Sequence, residues 1–233
     1  MTTGMRKIGL LGGMSWESSA LYYTVLNEAV RERLGGYHSA RVVLSSVDFA
    51  EVEAMQAAGD WESAGALLAA EAAALQAAGA ECLVLCTNTM HKVADAIEAA
   101  TDVPLLHIVD VTAAAIRAAG LSRVALLGTR FTMEQAFVRD RLASQGVEAL
   151  VPVGEDLELV HAVIYDELVH GVVRAESRAA YVDVVERLVA AGAEGVILGC
   201  TEIELLLRPE DVDVPVFATT RLHALAALDF ALG

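Results

Sequence analysis

Gly79–Thr89 reads GAECLVLCTNT, and Gly192–Glu202 reads GAEGVILGCTE. Each is a Gly-Ala-Glu turn, then a run of small and branched apolar residues, then a cysteine, a threonine and a polar residue. An apolar run of four to six residues between turn signals reads as a strand buried on both faces, and such strands belong to parallel sheets. Two further pairs flank this one. RKIGLLGGMSWES (Arg6–Ser18) matches SRVALLGTRFTME (Ser122–Glu134), and DVPLLHI (Asp102–Ile108) matches DVPVFAT (Asp213–Thr219). The three pairs lie 116, 113 and 111 residues apart (Arg6 to Ser122, Gly79 to Gly192, Asp102 to Asp213), always in the same order. The chain is therefore read as two copies of one plan. Aligning Cys86 with Cys200 needs one inserted residue, Gly199.

Working outward, the pattern predicts strands at Lys7–Leu11, Val42–Val47, Cys82–Cys86 and Leu105–His107 in the first copy. In the second it predicts them at Val124–Leu127, Glu148–Pro152, Gly195–Gly199 and Val214–Phe217. Ala-rich segments of helical periodicity lie between, clearest at Glu62–Ala78 and Ser177–Ala191, each followed by glycine where a helix would stop. Strands alternating with helices mean an α/β fold with parallel sheets. We expect two pseudo-symmetric, Rossmann- or flavodoxin-like domains with the active site in the cleft between them. The first should cover residues 1–112, joined by the C-terminal helix at 219–233, and the second residues 113–218.

Composition narrows the function. The chain has 233 residues, 55% of them hydrophobic, and a formal net charge of -16 with no basic stripe. Such acidity argues against nucleic acid and anionic membrane as partners. No apolar run is long enough to span a bilayer, and the N-terminal run looks like a strand rather than a signal peptide. Three cysteines are an odd count, read as free thiols in a reducing cytoplasm.

In open parallel sheets, ligands bind beyond the carboxyl ends of the strands. That rule selects four loops: Gly12–Glu17 (GGMSWE), Cys86–Thr89 (CTNT), Gly128–Thr132 (GTRFT) and Gly199–Glu202 (GCTE). Ser15 and Thr89 are expected to cap helices, and Thr132 with Gln135 to form a capping box. Helix N-termini and the amides before them attract anions, so the four loops together would suit a small anionic ligand. Taken singly, each loop has an ordinary explanation as a tight turn or a cap. Gly12–Gly13 is no dinucleotide fingerprint.

Cys82, whose counterpart is Gly195, is read as a buried core residue. It cannot share a metal with Cys86. Four residues of strand span roughly 13 Å, against Zn–S bonds of about 2.3 Å, so no metal site is expected. Cys86 and Cys200 each end a strand, one in each copy. Paired thiols on opposite sides of a carbon suit racemisation, in which one face loses a proton as the other gains one. A free thiol has a pKa of about 8.5, and helix dipoles can bring it toward neutrality. A pyridoxal enzyme would need a Schiff-base lysine; Lys7 and Lys92 are the only lysines, and neither is placed for one. No cofactor is expected.

The segments GLLGGMSWES, SVDF, LCTNTMHKVAD, ALLGTRFTMEQ and GCTEI together resemble the aspartate/glutamate racemase family, most closely its broad-specificity amino-acid racemase branch. The likeness covers essentially the whole chain. It implies pyridoxal-independent interconversion of L- and D-amino acids, with a homodimer as the usual assembly. By motif, Cys86 and Cys200 take the catalytic positions. Thr87, Asn88 and Thr89 would hold the substrate's carboxylate or amino group. Met14 and Thr129 would line the site from the glycine loops, Thr201 would follow the second cysteine, and Glu202 would meet the ammonium group.

Aspartate-specific members carry an Arg after the second strand and a Lys in the second half. Here those stretches read SVDFAEVE (Ser46–Glu53) and IYDELVHG (Ile164–Gly171), with neither. Phe49 points to a less polar side-chain pocket, so neutral or mixed substrates are expected. His91 follows CTNT closely and is a candidate helper of Cys86; on a helix it would equally face solvent. Trp16 and Trp61 are read as packing residues. Two other functions remain open on this sequence. One is a cysteine-dependent isomerase or decarboxylase of a small dicarboxylate, and the other is a non-catalytic small-anion sensor.

Overall fold

Each of the eight apolar runs overlaps a strand in the computed structural model, which describes residues 4–233. The chain forms two compact units. One runs through Ile108 and takes in Thr220–Gly233; the other is Val109–Thr219.

The first unit contains β1 (Ile8–Gly12), α1 (Trp16–Leu34), β2 (Val42–Ser46), α2 (Phe49–Ala58), α3 (Trp61–Ala77) and β3 (Cys82–Leu85). A 3₁₀ turn at Thr89–Val93, α4 (Ala94–Ala99) and β4 (Leu105–Leu106) follow, and α5 (Ile108–Ala118) starts at its last residue. The strands are all parallel, in the order β2-β1-β3-β4. Alternation along each strand sends its side chains to two different layers. Ile8, Leu10, Cys82, Val84 and Cys86 join Tyr22, Val25, Leu26 and Ala29 of α1 in one cluster. Leu11, Leu83 and Leu85 join Val52, Ala64, Leu68, Ala72 and Met90 in the other. Cys82 is thus a fully buried core residue.

The second unit repeats the plan: β5 (Arg123–Gly128), α6 (Arg130–Glu134), α7 (Ala136–Ser144), β6 (Glu148–Leu150), α8 (Glu155–Asp166), a 3₁₀ turn at Leu168–His170 and α9 (Ala175–Ala190). Then come β7 (Val196–Gly199), α10 (Ile203–Leu206), a 3₁₀ turn at Pro209–Asp211, β8 (Val216–Ala218) and α11 (Thr219–Leu232). Its strand order, β6-β5-β7-β8, again all parallel, is the order of the first sheet. Ala125, Leu127, Val196 and Leu198 pack with Val160, Ile164, Tyr181, Val184 and Leu188 in one cluster.

From Thr220 onward α11 belongs to the first unit, where Ala224, Ala227, Leu228 and Ala231 join the α1 cluster. His223 anchors it. Its Nε2–H donates to Leu106 O at 2.6 Å, and its Nδ1 accepts from the Tyr22 hydroxyl at 2.8 Å.

Candidate active site

In each sheet the strand order reverses between the first and third strands, and ligands gather at such switch points. In the first unit this selects the loops after β1 and β3. Gly13 has φ +94, and a Cβ there would run into the backbone of Val47, so only glycine serves. Its N–H donates to Ser19 Oγ at 2.8 Å, and Ser19 Oγ donates to Ser15 O at 3.0 Å. Ser15 caps α1 as expected, accepting from Ser18 N. Met14 is buried with Leu11, Val52 and Met90. Trp16, read from sequence as a packing residue, is 68% exposed because it opens α1 on its outer side. Phe49 begins α2 and is exposed; Asp48 before it caps that helix through Ala50 N.

Cys86 continues the ladder one step past β3. Its N–H donates to Leu11 O at 2.9 Å, and its thiol lies 3.6 Å from Val84 O. The side chain is fully buried. Thr87, Asn88 and Thr89 follow, each half-buried. Thr89 is not the cap expected of it. Asn88 takes that place, with no side-chain bond that caps the turn, and Thr89 is the first residue of a 3₁₀ turn. His91 is buried rather than facing solvent, and both its ring nitrogens meet backbone. Nδ1 lies 2.7 Å from Thr87 O, and Nε2 accepts from Ile108 N at 3.2 Å.

In the second unit, Thr129 caps α6, its hydroxyl accepting from Thr132 N. The expected box of Thr132 and Gln135 does not form, and the cap lies three residues earlier, at Thr129. Thr129 has the extended backbone of a residue outside the helix, Thr132 lies within it, and Gln135 closes it. Arg130 pairs with Glu158 at 2.5 Å, and its backbone N–H meets His161 Nδ1 at 3.3 Å. Gly128 pairs in register with Gly199, whereas in the first unit Leu11 pairs with Leu85 just before Cys86. Each cysteine directly follows its strand, but relative to the first strand of its sheet Cys200 stands one residue further along than Cys86 does, and it is half-buried. Its thiol donates to Glu202 Oε2 at 2.9 Å, and Thr201 Oγ1 donates to the same oxygen at 2.8 Å.

Both sulfur atoms are held as thiols. Burial pushes the Cys86 thiol well above its ordinary value. Burial, and then the negative charge and hydrogen bonding of Glu202, do the same for Cys200. The downward shift expected from helix dipoles is not found, because the elements after the cysteines are a 3₁₀ turn of five residues and a helix of four and desolvation dominates. The two lysines are engaged elsewhere: Lys7 Nζ donates to Ala78 O at 2.9 Å, and Lys92 Nζ lies 3.8 Å over the ring of Trp61.

Two groupings go beyond the expectations drawn from the sequence. His91, His107 and His223 lie ring against ring, at 4.5 Å and 5.7 Å from His91, although they stand far apart in the chain. The Cys200–Glu202 contact is within reach of the sequence, since only Thr201 stands between the two past a strand end. Among the described residues, no group of three His, Cys, Asp or Glu could hold a metal ion, and no helix is long and apolar enough to cross a membrane.

A sequence model of the Asp/Glu/Hydantoin racemase family matches residues 11–227. A candidate Asp/Glu racemase from Yersinia pestis is 53% identical to this chain, with TM-score 0.94, over 98% of this chain and 100% of that one. An aspartate racemase homologue from Pyrococcus horikoshii OT3 is 34% identical, with TM-score 0.89 and the same coverage of 98% and 100%. The glutamate racemase of Aquifex pyrophilus shares the fold at 18% identity, with TM-score 0.62 over 96% of this chain and 83% of that one.

Proposed function

The chain belongs to the Asp/Glu/Hydantoin racemase family, and on that premise we propose that it is a cofactor-independent amino-acid racemase using Cys86 and Cys200. The observation that carries the reading is the repetition of one Cys-Thr motif just past the third strand of each of two sheets with the same order. A duplicated framework supplies two equivalent acid–base groups, which is what inversion at one carbon requires.

In the proposed reaction the substrate's Cα–H proton passes to the sulfur of one cysteine as thiolate. The thiol of the other delivers a proton to the opposite face of the carbanion. Because both thiols rest protonated, one must first lose its proton. The contact between Cys200 and Glu202 offers a route: the proton passes to the Glu202 carboxylate, leaving a Cys200 thiolate beside a neutral acid. Thr201 steadies the receiving oxygen. Thr87, Asn88 and Thr89 would hold the carboxylate or amino group.

A substrate with an uncharged side chain is favoured. Neither Ser46–Glu53 nor Ile164–Gly171 contains Arg or Lys. Arg130, the cation directly after Thr129, is paired with Glu158. Incubation of L-amino acids in D₂O without pyridoxal phosphate tests the reading. Cα deuteration with appearance of the D-enantiomer is expected, strongest for neutral side chains. No exchange from folded, reduced protein across the panel would overturn it.

A further inference from the structure

We infer that His91 is a positioning residue: through its ring it holds the Thr87–Asn88 peptide in the orientation that binds substrate. The inference rests on the racemase reading for what the turn binds, but not for the geometry. A ring nitrogen that faces a carbonyl must carry a hydrogen, and one that faces an N–H must offer a lone pair. His91 is therefore neutral, with Nδ1–H donating to Thr87 O at 2.7 Å and Nε2 accepting from Ile108 N–H at 3.2 Å. With both nitrogens committed and only 3% of the residue exposed, it has no free site from which to move a proton for Cys86.

What the ring does to the backbone is specific. In an α-helix the Thr87 carbonyl would accept from the amide of residue 91. Here that amide goes to Asn88 O at 3.2 Å, three residues back, and the imidazole of the same residue takes the Thr87 carbonyl instead. His91 thus keeps Thr89–Val93 as a 3₁₀ turn. Since C=O and N–H point opposite ways in a trans peptide, fixing the Thr87 carbonyl toward His91 also fixes the Asn88 N–H away from it. Without the ring, the amide of residue 91 can shift to Thr87 O. The turn then tightens into an α-helix and the Thr87–Asn88 peptide rotates. Cys86 itself is held separately by its ladder bond to Leu11, so the loss should fall on substrate binding more than on the chemical step.

Two substitutions in the full chain separate the two bonds. In His91→Asn the amide nitrogen replaces Nδ1 and keeps the Thr87 bond; in His91→Gln the amide oxygen replaces Nε2 and keeps only the Ile108 bond. We expect KM to stay near the wild-type value in Asn and to rise about tenfold or more in Gln, with kcat changed by a few-fold in either. A merely structural role would lower the yield of active protein, and so apparent kcat, in both variants with KM unchanged; that result, or equal KM values in the two, overturns the inference. ¹⁵N spectra of wild type should show a protonated Nδ1 and an unprotonated Nε2, and the opposite tautomer overturns it also. If wild type shows no exchange with any amino acid, the racemase reading fails, and the inference stands or falls on amide hydrogen exchange at Asn88. Faster exchange in Gln than in Asn supports it, and equal rates refute it.

Discussion

Cys86 and Cys200 differ in what their sulfur atoms meet: a backbone carbonyl for one, a carboxylate for the other. Removing the charge of Glu202 while keeping its shape should lower the thiol pKa of Cys200, because that charge and its hydrogen bond both hold it up. In Glu202→Gln, alkylation of Cys200 by iodoacetamide should begin at lower pH than in wild type. Turnover should nevertheless fall roughly ten- to a hundredfold, since the route for the departing proton is gone. An unshifted alkylation profile would sever Glu202 from Cys200. Replacing either cysteine by serine should lower racemisation by about 10²–10⁴ in the D₂O assay. Full turnover in either variant would remove that residue from the reaction.

At the scale of elements, α11 is held by a neutral histidine under a hydroxyl and over a carbonyl. Burial lowers the pKa of His223 to about 4, against about 6.5 when the chain is unfolded. Between those values the unfolded chain binds a proton that the folded one refuses. The stability His223 contributes is thus whole above about pH 6.5 and is lost as pH falls toward about 4, by about 3 kcal/mol in all. Urea denaturation at stepped pH should show this slope, and His223→Gln should flatten it; an unchanged slope would mean that other groups cause it. Tyr22→Phe should cost about 1–3 kcal/mol at pH 7, because a buried acceptor is left without its donor.

Strands were the legible elements, because Val, Ile and Leu runs such as Leu83–Leu85 carry their own evidence of burial on both faces. The loops were less so. Thr132 and Gln135 satisfy the pattern of a capping box, yet the strand ended so that Thr129 fell outside the helix and took the cap. His91 could not be placed, because its partner Ile108 lies 17 residues on. The thiol pKa values escape the sequence for a related reason: it shows a helix following each cysteine but not its length, nor how completely the sulfur of Cys86 is buried.

At the scale of the molecule, the repeat in the sequence reappears as two sheets of identical order, but the units are not equally continuous. Val109–Thr219 is one uninterrupted stretch, whereas the first unit is made of two. Deleting residues 220–233 should therefore open the α1 cluster and leave the second unit's core intact. Calorimetry of that truncation should lose the transition of one unit, with dye binding to newly exposed apolar surface. Two undiminished transitions would show that α11 is dispensable.

The backbone N–H of Arg6 bonds to Ala231 O at 2.9 Å, so the start of the first sheet is closed by residues made more than two hundred positions later. On a ribosome that emits the chain from its N-terminus, the second-made unit has all its strands in hand before the first-made one can seal. Nascent chains stalled before residue 220 should be recognised by chaperones through that open layer, whereas the unit Val109–Thr219 already folds.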